Sequence, residues 1–256
     1  MKGKRFCTTA SAGIRLGWAD DIAAGWATTK PVWVVGAHRL AANEFVQRAA
    51  KGRALLGWFG STLDGLALRL AARPMAVANL AFMSRSSLLG IVTRVVARLA
   101  EAGRLGRFEQ LADKPGFPNC LANTWQEMRM ARVDATGVMA ADGDLAAILT
   151  ELETEARGLQ LADRARAFAL AIEALEQGAL ALGAIEKVVL LDVLLRPGIE
   201  TDFVRALIER ANQTVASVPA GDDTTTKMLL DAGLTLDAKH EDSPENVLEQ
   251  AQNELF

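Results

Sequence analysis

The chain has 256 residues, half of them hydrophobic, with no tyrosine and a formal net charge of −3. This length suffices for a full hydrophobic core, and a composition rich in alanine and leucine is typical of a helix-rich soluble protein. The charge provides no global attraction to nucleic acid or to an anionic membrane, so any contact with DNA would have to be local.

The basic amino terminus is followed by no apolar stretch like that of a secretory signal. No apolar run reaches the roughly 18–20 residues that a membrane span requires. The two cysteines, Cys7 and Cys120, lie far apart and have no CxxC or histidine partner. We therefore expect buried free thiols in a reducing cytoplasm, with no disulfide, no metal site and no membrane partner.

The first 70 residues predict the order strand–helix–strand–helix, which is typical of α/β proteins. A short strand that begins near Phe6 leads into a turn of small residues and a helix over 15–27. A buried strand over 31–36 precedes a helix over 38–51. Next, Ser61 and Thr62 are suitable N-caps for a helix over 63–72.

Residues 84–184 show only helical periodicity. Helices are predicted over 86–102, 119–132, 144–159 and 162–182. No repeat period is found inside this stretch, so a helical solenoid is not supported. We predict an all-helical insertion over 80–184 within an α/β domain that comprises 1–79 and 185–238.

The α/β pattern returns at 187–195, where Asp192 is the one carboxylate in a run of apolar residues. Such a run is typical of a central strand of a parallel sheet, buried on both faces. Further along we predict, in chain order, a helix over 200–211, a strand over 214–219 and a helix over 224–231. The acidic segment 239–256 ends without a capping signal, which suggests a chain cut from something longer.

The turn after the first strand is a candidate phosphate-binding loop. A working loop needs Gly-x-x-x-x-Gly-Lys-Ser/Thr, because backbone N–H groups wrap the phosphates, the lysine neutralises charge and the hydroxyl binds Mg²⁺. The run from Ala10 to Gly13 fits the entry to this loop, but the lysine and the hydroxyl are absent. Arg15 remains a candidate phosphate donor, and the alternative interpretation is a tight strand-to-helix turn.

Four segments follow one another in the order of four motifs of superfamily 1 helicases. Residues 34–45 resemble the strand–turn–helix with a DNA-contacting turn, and 60–70 resemble the motif and helix that come next in those helicases. Residues 187–195 have the place of the Walker B strand, and 218–223 resemble the Gly-Asp-Asp turn that follows it. This resemblance implies a P-loop-like parallel sheet with a large all-helical insertion. It also implies DNA contacts by four residues at strand ends, His38, Arg39, Ser61 and Thr62.

The groups that hydrolyse ATP in those helicases are missing. Asp192 has the position of the Walker B aspartate that holds Mg²⁺, but Val193 stands where a water-activating glutamate belongs, and valine cannot accept a proton. Leu195 and Thr225 replace two expected glutamines. We therefore predict that the fold is kept and the chemistry lost, with no catalytic residue, no bound metal and no cofactor.

The same strand ends contain two weaker candidate sites. A degenerate nucleotide site would comprise Gly13, Arg15, Asp192 and Asp222. Asp222 and Asp223 with Asp192 are a candidate Mg²⁺ site, but such an Asp-Asp pair more often caps the helix that follows.

A helicase-like region without hydrolytic groups is similar to the amino-terminal part of the B subunit of AddAB-type ATP-dependent helicase–nucleases and of related PD-(D/E)XK nuclease family proteins. The stretches that carry this resemblance are 35–45, 61–72, 116–117 with 127–129, 188–223 and 255–256. The nuclease centre and the iron–sulfur cysteines of that family lie in a carboxyl-terminal region, and no counterpart is found here. A full-length relative would be a PD-(D/E)XK exonuclease subunit.

The resemblance implies a non-catalytic scaffold in DNA recombination and repair. Its expected partners are single-stranded DNA or a duplex end, with an AddA-like helicase subunit as a further candidate. Two other functions stay open on the sequence: a divergent NTPase in which Arg15 replaces the lysine, and a protein-interaction domain whose helical insertion docks a partner.

Overall fold

The computed structural model describes residues 3–26, 30–50, 55–178 and 185–237. The described strands, in chain order, are β1 (Lys4–Thr9), β2 (Val32–Gly36), β3 (Trp58–Ser61), β4 (Ala81–Phe82), β5 (Leu161–Ala162), β6 (Lys187–Leu191), β7 (Gln213–Pro219) and β8 (Thr235–Leu236). The described α-helices are α1 (Ala12–Ala24), α2 (Arg39–Ala50), α3 (Leu63–Val77), α4 (Arg85–Glu101), α5 (Phe117–Met130), α6 (Ala135–Met139), α7 (Gly143–Gly158), α8 (Arg164–Gln177), α9 (Ile199–Arg210) and α10 (Asp223–Asp231). A 3₁₀ helix spans Gly106–Leu111.

Six of the strands form one parallel sheet in the order β3-β2-β6-β7-β1-β8. Every residue of β2 and β6 is buried, as expected for strands that are covered on both faces. The prediction of an α/β protein with a parallel central sheet is confirmed. Because all six strands run the same way, their carboxyl ends lie at one edge of the sheet, where ligands of open α/β sheets bind.

Two strand predictions are corrected. The strand predicted over 187–195 ends at Leu191, because Asp192 has a positive φ of 47° that takes the backbone out of the extended conformation. Val193 and Leu195 are buried without being part of a strand, which explains why the apolar run predicted a longer one. The first 70 residues also contain a third strand, β3, which the predicted order strand–helix–strand–helix lacks.

The helices of residues 84–184 lie close to their predicted positions, and α8 is shorter than the helix predicted over 162–182. Residues 179–184 lie outside the described part of the chain. The stretch is not purely helical, because β5 pairs in parallel with β4. The third helix also runs past its predicted end, through Pro74 to Val77.

The chain divides into two compact units. The first contains the main sheet and comprises residues 1–66, 175–196 and 204–256. The second comprises 67–174 and 197–203 and is mostly helical. The predicted boundaries at 80 and 184 therefore differ from the division seen here, and the acidic segment 239–256 lies outside the described residues.

Each unit has its own core. In the first, α1 and α2 pack on the sheet through residues such as Ala19, Phe45 and Val189. In the second, α4, α5 and α7 pack around Val92, Trp125 and other apolar side chains. No helix in the described ranges is both long and apolar enough to cross a membrane.

The two cysteines are free thiols in different environments. Cys7 is buried in β1, whereas Cys120 on α5 is exposed. The expectation of two buried thiols is therefore wrong for Cys120.

Candidate functional site

The connection from β1 to α1 is short. The strand ends at Thr9 and the helix begins at Ala12, so only two residues, Ala10 and Ser11, link them. The Ser11 hydroxyl caps the helix by accepting a hydrogen bond from the backbone N–H of Ile14, at 3.5 Å. A Cβ atom placed on Gly13 would meet only the Ser11 hydroxyl, at 3.8 Å. The connection is thus a tight strand-to-helix turn.

The Arg15 side chain turns back from α1 over the end of the sheet and is only 6% exposed. Its Nε donates to Oδ1 of Asp192 at 3.0 Å, and its Nη2 donates to Oδ2 at 2.9 Å. Its Nη1 donates to the carbonyl oxygens of Ala10, at 2.9 Å, and of Thr9. All three guanidinium nitrogens therefore have acceptors within the protein, in the bidentate geometry that makes arginine–carboxylate pairs strong.

Asp192 is held from the side of β7 as well. Its backbone N–H donates to the Ser217 carbonyl oxygen, at 3.0 Å, and to the Ser217 hydroxyl, at 3.1 Å. The same hydroxyl lies 2.7 Å from Oδ1 of Asp192, where it donates to the carboxylate. The positive φ of Asp192 is a conformation that aspartate tolerates better than most residues. The carboxylate thus has a fixed position between β7 and Arg15.

Burial raises the pKa of the nearby Cys7 thiol, and the positive charge of Arg15 acts in the opposite direction. Asp237 and Asp192 reinforce the rise. The thiol is therefore protonated at neutral pH and is a poor nucleophile.

Asp222 caps the following helix, as the alternative interpretation predicted. Its Oδ1 accepts a hydrogen bond from the Thr225 N–H at 3.0 Å. The Thr225 hydroxyl in turn accepts from the backbone N–H of Leu195 at 3.2 Å. Among the described residues, no group of three histidine, cysteine, aspartate or glutamate side chains could hold a metal ion.

The four residues predicted to contact DNA follow two neighbouring strands. His38 lies in the turn between β2 and α2, Arg39 is the first residue of α2, and both are exposed. Ser61 is the last residue of β3 and is 5% exposed, while the Thr62 hydroxyl accepts from the Gly65 N–H at 3.1 Å and caps α3. Since β2 pairs with β3, these residues occupy adjacent positions at the same edge of the sheet. Of the four, His38 and Arg39 are exposed.

Sequence reasoning named Arg15 and Asp192 but not the contact between them, and it missed Ser217. Arg15 and Asp192 lie 177 positions apart, and nothing local to either residue reveals a pairing at that distance. Ser217 lies inside the mostly apolar strand β7, which also contains Thr214, so a hydroxyl residue there is an ordinary occurrence. A buried hydroxyl without an evident local acceptor is a weak signal for such a role.

No protein-family model matches this sequence, and no curated protein matches it. The resemblance to the B subunit of AddAB-type helicase–nucleases therefore stays a prediction, based on the motifs given above.

Proposed function

We propose that the sheet-containing unit is a non-catalytic, helicase-like scaffold that contacts DNA within a recombination and repair helicase–nuclease of the AddAB type. The observation that carries the proposal is the Arg15–Asp192 ion pair, which joins the turn after β1 to the end of β6. A P-loop-like topology is part of the proposal. Its support is a parallel sheet in which that turn and Asp192 lie at the same edge.

The ion pair opposes nucleotide-dependent chemistry in two ways. Both carboxylate oxygens of Asp192 accept hydrogen bonds from Arg15, so Mg²⁺ would have to displace a guanidinium to bind there. Arg15 has no nitrogen without an acceptor, so a phosphate would have to break the ion pair to reach it. Arg15 thus has the place of the Mg²⁺ beside Asp192, and Asp192 has the place of the phosphate beside Arg15.

The side chain after Asp192 also argues for loss of hydrolysis. Val193 is 7% exposed and packs in the interior, where it can neither orient nor deprotonate a water molecule. The turn before α1 is too short to wrap a triphosphate with backbone N–H groups. These features favour the scaffold over the divergent NTPase.

DNA contact is proposed at His38 and Arg39. Both are exposed at the carboxyl edge of the sheet, and neither side chain has a hydrogen-bond or ion-pair partner in the described part of the chain. Arginine binds phosphate through paired N–H donors, and histidine can donate to a phosphate oxygen. Because the net charge of the chain is negative, the positive charge of Arg39 has to supply the local attraction to the DNA phosphates.

The first experiment is a nucleotide test. We expect no ATP turnover, and the change of Tm with millimolar Mg–ATP should be the same in Asp192→Asn as in the wild type. A ligand at one hundred times its Kd would stabilise the fold by about 2.7 kcal/mol, which a melting curve detects readily. ATP turnover that depends on Asp192 would disprove the scaffold.

The second experiment measures binding of a fluorescent single-stranded oligonucleotide at several salt concentrations. We expect affinity to fall with salt, because phosphate contacts release counterions. Arg39→Gln should weaken binding and make the logarithmic salt slope shallower by about one. Lys227→Gln removes an equally exposed charge on α10 and is the matched control. Salt-independent binding, or none, would favour the protein-interaction domain instead.

A further inference from the structure

The helical unit contains a cavity of about 200 Å³. Three arginines from three different helices line it, Arg129 of α5, Arg157 of α7 and Arg166 of α8. Apolar side chains complete much of the wall, among them Leu80, Trp125 and Leu161. Neither the helicase resemblance nor the proposed DNA contact assigns a role to this cavity.

The guanidinium groups around the cavity have donors to spare. Arg129 uses only its Nε, which donates to Oδ2 of Asp163 at 2.8 Å. Arg157 is exposed and has no side-chain partner in the described ranges. Arg166 has one weak contact, from Nη1 to Glu173 at 3.4 Å. The wall therefore presents several charged N–H groups for which the described chain supplies no acceptor.

The acids of the wall do not neutralise these donors. Both oxygens of Asp163 are committed, because Oδ2 pairs with Arg129 and Oδ1 accepts the backbone N–H of Arg166 at 2.6 Å. Burial alone would lower the pKa of Arg129, but the charge and hydrogen bond of Asp163, together with the charges of Glu153 and Asp134, raise that pKa. Glu153 is the other acid of the lining. Three arginines against two carboxylates leave the wall with a net positive charge.

A buried donor is also unpaired here. Trp125 lines the cavity and is 3% exposed, and its Nε1–H has no acceptor among the described residues. Leaving such a donor unpaired is costly. A ligand with several oxygen atoms supplies the kind of acceptor that this region lacks.

We propose that the cavity binds a phosphate group carried on an organic ligand. Guanidinium groups that come from three helices suit a tetrahedral anion with several oxygens better than a planar carboxylate with two. Leu80, Leu161 and Trp125 then contact the portion that carries the phosphate. A second cavity of about 300 Å³ shares Arg129 and Arg166 and adds Arg132 to its lining, which gives space for a ligand that extends further. Two sources fit this chemistry, a free mononucleotide and the backbone of single-stranded nucleic acid.

The experiment uses the full chain at constant ionic strength, with chloride replaced in turn by inorganic phosphate, thymidine monophosphate or a short oligothymidylate. The readouts are Tm and the NMR signal of the Trp125 indole N–H, identified by its loss in Trp125→Phe. We expect thymidine monophosphate to raise Tm and to shift that signal. Arg157→Gln should weaken the binding roughly tenfold, since one charge-assisted hydrogen bond is lost.

The controls separate binding from stability. The Arg157 side chain has no partner among the described residues, so Arg157→Gln should keep the wild-type Tm without ligand. Arg73→Gln removes a comparable exposed arginine on α3, outside the cavity lining, and should bind as the wild type does. Arg129→Lys keeps a cation beside Asp163 but loses the planar fork, and it should also weaken binding.

Three results would overturn the proposal: no Tm rise with any of the three probes, an equal rise in Arg157→Gln, or a rise that leaves the Trp125 signal unmoved. Tighter binding of the oligonucleotide than of the mononucleotide would identify nucleic acid as the source. The inference is independent of the proposed DNA contact, because Arg39→Gln should leave mononucleotide binding here unchanged.

Discussion

The guanidinium of Arg15 and the carboxylate of Asp192 form two parallel hydrogen bonds, Nε to Oδ1 at 3.0 Å and Nη2 to Oδ2 at 2.9 Å. One residue lies in the first turn of α1 and the other directly follows β6. The pair thus ties two segments that are remote in sequence to the same edge of the sheet. An arginine that could serve a phosphate is instead part of the protein's own structure.

Asp192→Asn tests the energetic role of this ion pair. Asparagine tolerates the positive φ of this position, so the substitution removes the charge and keeps the backbone. Breaking a fully buried pair costs about 3–5 kcal/mol, but Asp192 is 27% exposed, so we expect a loss of roughly 1–3 kcal/mol. Urea denaturation measures the free energy of unfolding.

The matched comparison for that prediction is a double-mutant cycle with Arg15→Met. The two single losses should not add, because each removes the same interaction. Arg39→Ala, at an exposed position on the same edge, should change stability by no more than about 0.5 kcal/mol. Additive effects of Asp192→Asn and Arg15→Met would show that the ion pair contributes nothing.

The sequence predicted those parts of the fold that depend on local periodicity. The five buried residues of β2 and the regular apolar spacing of α4 are examples. It failed where the same pattern fits two structures. Val193 and Leu195 are as buried as strand residues, so only the φ angle of Asp192 reveals where β6 ends.

The sequence predicted Arg15 and Asp192 as residues of the candidate site, but not the hydrogen bonds between them. An arginine one turn into a helix has the same local sequence context whether it faces a phosphate or a carboxylate. Which one it meets depends on the order of the strands, and β7 alone lies between β1 and β6. The sequence does not contain that order in any local signal.

Thiol labelling should distinguish the two cysteines. Cys120 is exposed, while Cys7 is buried in β1 with a pKa raised mainly by burial. At neutral pH a disulfide reagent should therefore release one equivalent of chromophore quickly and the second only on unfolding. Cys120→Ser should abolish the fast phase and Cys7→Ser the slow one. Two fast equivalents in the native protein would contradict the burial of Cys7.

The contact between α4 and α7 should make stability depend on acid pH. Glu155 accepts a hydrogen bond from Arg98, at 2.9 Å, and pairs with Arg94 at 2.6 Å. The hydrogen bond from Arg98 lowers the pKa of Glu155, burial opposes the shift, and the charges of both arginines reinforce it. Near and below pH 4.5 the unfolded chain binds more protons at this residue than the folded chain does.

The stabilisation by Glu155 is therefore fully present above the ordinary carboxyl pKa and is lost as the pH falls through the lower pKa of the folded state. Glu155→Gln should cost no more than about 1 kcal/mol at pH 7, because both arginines are about half exposed, and the difference should vanish in acid and shrink in salt. Glu101→Gln, at an exposed position at the end of α4, is the control. A loss that stays constant from pH 7 to pH 3 would refute this origin.

Gly198→Ala should destabilise the helical unit strongly. Gly198 has a φ of 121°, which side chains of L-residues rarely adopt, and an added Cβ would lie 2.9 Å from the Cα of Ala131 and against the carbonyl oxygen of Met130. Both obstacles are backbone atoms and cannot rotate away. We expect a loss of more than about 2 kcal/mol in the free energy of unfolding, measured in urea.

Gly90→Ala is the matched control, because Gly90 lies inside α4 with nothing within 4 Å of the added atom. That substitution should raise stability by roughly 0.5–1 kcal/mol. Equal stability of the two variants would disprove the close contact of Gly198 with the backbone of Met130 and Ala131.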